Sequence, residues 1–311
     1  MLTHRRPQWY KPDMGLAARM TLTIFLLGAI YVVFAFALRY FLGFSWIALG
    51  VIAAVLAGIQ FFFADKIALS SMGAKMLDPT QFSDLHDIVG RLAAQTNMPM
   101  PRIAMINSSV PNAFATGRSK NHAVIAVTRS LYDRLSPAEL ESVLAHEMTH
   151  IINRDMLVMT VATFFSMVAS MIMQSFFFFG GGYGGGYGRR RDDEGNLLLV
   201  LLASVVTYVL SFILIRALSR YRELLADRGS ALITGAPEQL ASALQKISGL
   251  IQGAAIPQRD FRQAETVNAL FIVPALRGDS LQSIFSTHPA LETRLAQLNE
   301  MQRQMESAHP A

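Results

Sequence analysis

Two histidines four residues apart, His146 and His150, with Glu147 beside the first, form the chemically most informative group in this chain. At positions i and i+4 two imidazoles lie on one face of a helix and can converge on one tetrahedral divalent cation. A glutamate next to the first histidine can then reach a water on that cation and take its proton. Zinc lowers the pKa of such a water toward neutrality, and the base completes its activation. The plainer reading is a chance match on a solvated helix face. The local sequence argues against it. Ser136-Pro137-Ala138-Glu139 is a capping box with proline at the first helical position, and a helix starting there runs through Leu140, Val143 and Leu144 to His150.

A catalytic zinc needs a third protein ligand and an open fourth position. The chain has no cysteine, so disulfides and thiolate ligands are excluded, and the candidates are carboxylates and the other histidines. Glu223 lies in SRYRELLAD, residues 219–227, with Asp227 four residues on and on the same helical face. Asp227 could accept a hydrogen bond from the far N–H of a ligating imidazole. The alternative for this acidic pair is solvation and helix pairing with Arg220, Arg222 or Arg228, and spacing alone leaves both readings open.

The elements that must position these groups include lipid-embedded ones. Hydrophobic residues make up 52% of the 311 and charged residues 16%, and mean hydropathy is +0.35. A soluble domain carries about a quarter charged residues. Four uncharged apolar runs are long enough to cross a bilayer: Met20–Leu38, Tyr40–Ala64, Met156–Phe179 and Leu197–Ile215. The first two form a tight hairpin separated by little more than Arg39, with Gly43 and Ser45 nearby and the exact turn left open. The last two are joined by a glycine-tyrosine-rich loop, residues 180–196. Buried core helices are the alternative for the third and fourth runs. The net charge of +5 is scattered or flanks the apolar runs, which fits anchoring in a lipid bilayer, and no nucleic-acid motif appears.

Arg5, Arg6, Lys11 and Arg19 precede the first run, Lys66 and Lys75 follow the second, and Arg216, Arg220 and Arg222 follow the fourth. The positive-inside rule then places both termini and both polar segments in the cytoplasm, with Arg189–Arg191 in the second loop dissenting. The expected order is an N-terminal cytoplasmic segment 1–19, a membrane hairpin 20–64, a first catalytic half 65–155, a second hairpin 156–215 and a second catalytic half 216–311. Within the polar segments, Ser83–Thr96 reads as a helix, and Arg102–Asn107 and Ala123–Thr128 read as strands with PNAFATGRSKN between them. The second half reads as mostly helical, broken at Gly235-Ala236-Pro237, with Pro257–Ser280 less regular. At about 1.5 Å per residue, His150 and His146 lie about 9 and 15 Å before the third run, and Glu223 about 12 Å after the fourth. An antiparallel hairpin would bring all three to one height over one membrane face.

At these residues the sequence resembles the HtpX heat-shock branch of integral membrane zinc metalloproteases, relatives of the CAAX prenyl proteases. HEMTHIINRDM (residues 146–156) resembles that branch's zinc motif with its continuation through Asn153 and Asp155, and SRYRELLAD resembles its third-ligand motif. PNAFATG (residues 111–117) is similar to the segment that the family places beside its cleft, and STHP (residues 286–289) with Arg294 is similar to its C-terminal His-Pro feature. Met148 and Thr149 replace the more usual leucine and serine at positions that are not ligands.

The resemblance implies an α+β membrane protein. Four transmembrane helices would carry a mainly helical gluzincin-type zinc peptidase domain with a small β-sheet. One Zn²⁺ per chain would be held by His146, His150 and Glu223, with Asp227 as an acidic partner and Glu147 as the base. The family's substrates are membrane or damaged, unfolded polypeptides, cut at the cytoplasmic face of the bacterial inner membrane.

Other residues carry paired readings. Asn112, Ala113, Phe114 and Ala115 could present backbone groups to an extended peptide, or form a hairpin loop with Phe114 in the core. His288 could donate a hydrogen bond to the oxyanion formed during attack, with Arg294 supporting the site, or it is a helix-start residue before Pro289. Asn153 and Asp155 are expected to have structural roles where the zinc helix meets the membrane. His4, His86, His122 and His309 carry no motif. Rival functions are a prenyl-protein protease, disfavoured by only four apolar runs, and a non-catalytic zinc scaffold, disfavoured by an intact Glu147. A transporter is disfavoured by spans without ionisable residues.

Overall fold

The computed structural model describes residues 13–43, 45–175, 191–253 and 288–308. Helices α1 (Met14–Leu42) and α2 (Trp46–Ser71) contain the first two apolar runs. Their turn falls at residues 43–45, and Arg39 lies inside α1. One arginine does not stop a helix, whereas a left-handed residue does. Gly43 takes φ 70° and donates its N–H to the Arg39 carbonyl at 3.0 Å. The Ser45 hydroxyl then accepts the Ala48 N–H at 3.1 Å and caps α2.

Helices α6 (Asp155–Ser175) and α7 (Arg191–Thr234) carry the other two runs. The loop expected over residues 180–196 is helical from Arg191, where α7 begins and runs on into the apolar run as one helix. The rest of that loop lies outside the described residues. So do the Phe176–Phe179 run, Arg5, Arg6, Lys11, His4, His309, Ser286, Thr287 and the Pro257–Ser280 stretch.

The chain divides into two units. One comprises Gly15–Phe62 and Val158–Leu218. Four helices among the described residues are long and apolar enough to cross a membrane, with mean hydropathy from 2.0 to 2.8. Helix α2 buries none of its side chains, and Phe25, Val33 and Ile47 are 70%, 69% and 79% exposed. So much contiguous apolar surface is stable only against lipid or a partner. Within this unit Leu27, Tyr31, Ala162, Ile215 and Leu218 pack together, as do Phe34, Leu38, Ala169 and Val200. The Tyr31 hydroxyl donates to the Ala162 carbonyl, and Gln60 Nε2 donates to Thr163 Oγ1 at 2.9 Å. In hydrocarbon, such bonds satisfy polar groups that water cannot reach.

The other unit comprises Phe63–Leu157 and Ser219–Ala311, with the residues up to Met14. Its sheet has the strands β1 (Lys75–Met76), β2 (Arg102–Ile106), β3 (Ala113–Thr116) and β4 (Val124–Thr128), in the order β1-β2-β4-β3. The two strands legible in the sequence, β2 and β4, pair in parallel at its centre, and β1 and β3 add antiparallel edges. Strand β4 is apolar from Val124 to Val127 because both its faces are covered. Val124 and Ala126 pack with Ile106, Val110, Phe114 and Met72. Ile125 and Val127 pack with Ile103, Ala113, Ala115 and the helices on the opposite face.

Those helices are α3 (Ser83–Gln95), α4 (Arg129–Arg134), α5 (Pro137–Ile152), α8 (Pro237–Gly253) and α9 (Leu291–Ala308). The capping box that opens α5 is formed: Ser136 Oγ accepts the Glu139 N–H, and Glu139 Oε2 accepts the Ser136 N–H at 2.9 Å. The same carboxylate accepts from the Ser242 hydroxyl at 2.6 Å and from Lys246 Nζ at 2.8 Å, which ties the cap to α8. Burial pushes the Glu139 carboxyl up, but Lys246, Ser242 and Ser136 outweigh it and bring it to about 2. Beyond its first turn α5 is buried from Ser142 to Ile151. Leu144 and Met148 are fully buried in the core, each stabilising by about 1.5–3 kcal/mol. Their packing fixes the rotation of α5, and hence the direction in which His146, Glu147 and His150 point.

Candidate metal centre

Because α5 is buried on its polar side too, each polar group there must find a partner. His146 Nε2 and His150 Nε2 lie 3.2 Å apart. Glu223, on α7, places Oε2 3.6 Å from His146 Nε2 and Oε1 3.5 Å from His150 Nε2. Bonds of about 2.0–2.1 Å in a tetrahedron place donor atoms about 3.3 Å apart, so two imidazoles and a carboxylate this close together could hold a metal ion. All three donors lie within 4.8 Å of one another.

Protonation points the same way. His150 Nδ1 lies 2.6 Å from Asp155 Oδ2, and His146 Nδ1 lies 3.0 Å from Asp227 Oδ1. Each carboxylate assigns the imidazole proton to Nδ1 and leaves a lone pair on Nε2. Two buried imidazole nitrogens facing each other at that distance are held by a shared proton or by a metal ion between them, and the third converging donor suits a metal ion. Burial pushes His146 toward its neutral form, but the Asp227 and Glu223 carboxylates outweigh this and raise it to about 9. A site with that preference for positive charge suits a divalent ion.

The two imidazole supports are built alike. Arg294, on α9, donates from Nε to Asp227 Oδ2 at 2.8 Å and from Nη2 to Oδ1 at 2.6 Å. Arg222, on α7, places Nε 3.2 Å from Asp155 Oδ1. Each histidine therefore leans on an aspartate, and each aspartate on an arginine. The sequence pointed to Asp227 and Arg294. It gave Asp155 only a structural role where helix meets membrane, and it gave Arg222 only pairing and flanking roles. The available signal was a carboxylate five residues beyond a histidine at the end of its helix. Asp155→Ala is expected to weaken metal binding about 10–100-fold, and Asp155→Asn less, because the amide oxygen still accepts from Nδ1. Chelator competition on the purified variants measures both, and unchanged affinity in the alanine variant would refute the support role.

Glu147 sits beside the donors with Oε2 accepting the Ala115 N–H at 2.7 Å. Burial pushes its carboxyl up, while His150 and His146 pull it down. Ala113, Phe114 and Ala115 belong to the edge strand β3 rather than to a loop, and Phe114 packs into the core. The Thr128 N–H donates to the Asn112 carbonyl at 2.8 Å. The backbone groups of Asn112 therefore face β4, and by strand alternation those of Ala113 and Ala115 face away from the sheet. His288 Nδ1 lies 3.2 Å from Glu223 Oε2, so the structure brings it against the carboxylate of the metal group. The oxyanion role would use its Nε2. Gly229, which the sequence reading passed over, lies where α7 meets α5. A Cβ there would stand 2.3 Å from Thr149 Cγ2, and next to it the Ser230 hydroxyl donates to the Ser142 carbonyl at 2.7 Å. A lone glycine inside an otherwise helical pattern was its only sequence signal.

Comparison with known proteins agrees with this geometry. Residues 79–302 match the profile of peptidase family M48. A "Protease HtpX homolog" of Moorella thermoacetica is 54% identical over 294 residues, covering 94% of this chain and 97% of that protein. A "Protease HtpX homolog 2" of Methanosarcina acetivorans is 50% identical, covering 95% of this chain and 98% of that one. The crystal structure of S. mikatae Ste24p superimposes with a TM-score of 0.54 at 22% identity, over 89% of this chain and 63% of that one, and shares its fold.

Proposed function

Since the chain belongs to peptidase family M48 and is a multi-pass membrane metallopeptidase, we propose that it is a zinc-dependent endopeptidase. It cuts membrane or misfolded proteins at the cytoplasmic face of the bacterial inner membrane. The observation that carries this reading is the convergence of His146, His150 and Glu223 within 4.8 Å beside a buried carboxylate at a sheet edge. His146, His150 and Glu223 would hold one zinc ion. When bound, zinc supplies a Lewis acid that acidifies water and polarises the scissile carbonyl.

The chain's own residues do the rest. The outward backbone groups of Ala113 and the outward carbonyl of Ala115, with Asn112 and Phe114 fixing the strand, pair with an extended substrate regardless of its sequence, while the Ala115 N–H holds Glu147. Glu147 accepts the proton of the attacking water on the oxygen not held by Ala115, and returns it to the leaving amine. Its raised pKa suits both transfers. His288 donates to the developing oxyanion from Nε2, and Asp227 with Arg294 holds His146 in its working tautomer.

Residues 65–155 and 216–311 form the catalytic halves, and residues 20–64 and 156–215 the membrane hairpins, with the segment 1–19 cytoplasmic. Lysines and arginines beside the apolar runs favour that orientation. The donors lie within a few residues of apolar helices in sequence, which favours substrates embedded in or close to the bilayer.

Chelation tests the metal requirement. Cleavage of an unfolded membrane protein by the purified chain should stop when zinc is stripped, and return when one equivalent is restored. Full activity in the metal-free protein would end the proposal. One bound zinc with no cleavage of any denatured substrate would favour the scaffold reading.

A further inference from the structure

Beside the metal donors is a cavity of about 380 Å³ that the hydrolytic reading does not use. The loop after β3 forms one wall, and residues at the end of α5 and start of α6 form another. Its lining includes the cations Arg118, Lys120 and Arg154, the polar Ser119 and Asn121, and no aspartate or glutamate. Two backbone features show that these walls are held in shape. Gly117 takes φ 129°, and a Cβ there would stand 2.3 Å from the His122 carbonyl oxygen, so the loop folds closely onto itself. A 3-10 turn at Lys120–His122 and the Ser119 hydroxyl 2.9 Å from His122 Nδ1 complete it. Arg154 directly follows Asn153, the C-cap of α5, at φ 56°. Helices favour glycine there, because other side chains strain the left-handed backbone. The chain carries an arginine at this strained position, and that arginine lines the cavity. Strain kept at a ligand-facing position points to function.

We propose that this cavity is a specificity subsite for a substrate carboxylate, an Asp or Glu side chain N-terminal to the scissile bond. The inference rests on the peptidase reading above. The cavity shares His150 with the metal centre and Thr116 with the end of the edge strand, so it lies on the path of a bound peptide. A strand paired antiparallel to β3, the more stable arrangement, reaches Thr116 with its N-terminal side. At about 3.3 Å per residue, the acid falls within about four residues of the cut bond. A phospholipid headgroup carries the same charge, but the shared metal ligand and edge strand favour the peptide.

Two peptides that differ only by Glu or Gln at these positions make the test. Turnover is measured with the full-length zinc-loaded protein in neutral detergent, and binding with the Glu147→Gln variant. The glutamate peptide should be preferred roughly tenfold in kcat/KM and in Kd, as a charge-assisted contact gives. That preference should shrink as salt rises. It should vanish in Arg154→Gly, a change the backbone welcomes, and fall in Lys120→Ala, with zinc content and thermal melting confirming that both variants are folded. Equal use of the two peptides overturns the subsite and leaves the peptidase reading standing. Failure to cut either overturns both. A preference that appears only when anionic phospholipid is added assigns the cations to headgroups and also overturns the subsite.

Discussion

Glu147→Gln should abolish peptide-bond hydrolysis, by about a thousandfold or more, while the purified protein keeps one zinc per chain. The separation of the two effects follows from the geometry. Glu147 is not among the three converging donors, and its Oε2 is occupied by the Ala115 N–H at 2.7 Å. A glutamine oxygen accepts that same bond, so the side chain keeps its place. The NH₂ group then occupies the position that should receive a proton, and it cannot receive one. Zinc analysis and turnover of an unfolded membrane protein, measured on one preparation, read both quantities. Undiminished turnover with zinc retained would remove Glu147 from the mechanism and with it the hydrolytic assignment.

A second large effect is expected at a residue that supplies no donor atom. Gly229→Ala would set a Cβ 2.3 Å from Thr149 Cγ2, 2.4 Å from its Oγ1 and 2.9 Å from its Cβ. Thr149 cannot easily turn away, because its hydroxyl is bonded to the Ala145 carbonyl at 2.9 Å. The helices must therefore separate. Helix α5 carries both imidazoles and α7 carries Glu223, so separation opens the donor triangle. A displacement of about 1 Å costs about a hundredfold in a process that depends on such geometry, and overpacking costs about 1–3 kcal/mol of stability. Thr149→Ala in the same chain removes two of the three close contacts and should restore a substantial part of the zinc affinity. The comparison is a double-mutant cycle read by chelator competition. Wild-type affinity in Gly229→Ala alone would mean that this close approach does not set the carboxylate's position.

The reach of the sequence follows from how local each feature is. His146, Glu147 and His150 lie within one helical turn and need only a helix to meet, and Ser136 with Glu139 announces that helix. The apolar runs were legible because lipid imposes length and composition on each segment separately. Glu223 was ambiguous by spacing and was singled out by resemblance. Asp155 and Arg222 were hidden because their pairing joins the two halves of the polar chain, and the hairpin turn near Arg39, Gly43 and Ser45 had no exact position in the sequence because Gly43 makes it through its backbone. Strand β1 has two residues and β3 four, too short to show a period.

The fork between Arg294 and Asp227 spans 67 positions of sequence. The grip of the centre on an ion is therefore coupled to the docking of α9: local opening of that helix takes the arginine from Asp227, and the support from His146, while all three donor residues stay on α5 and α7.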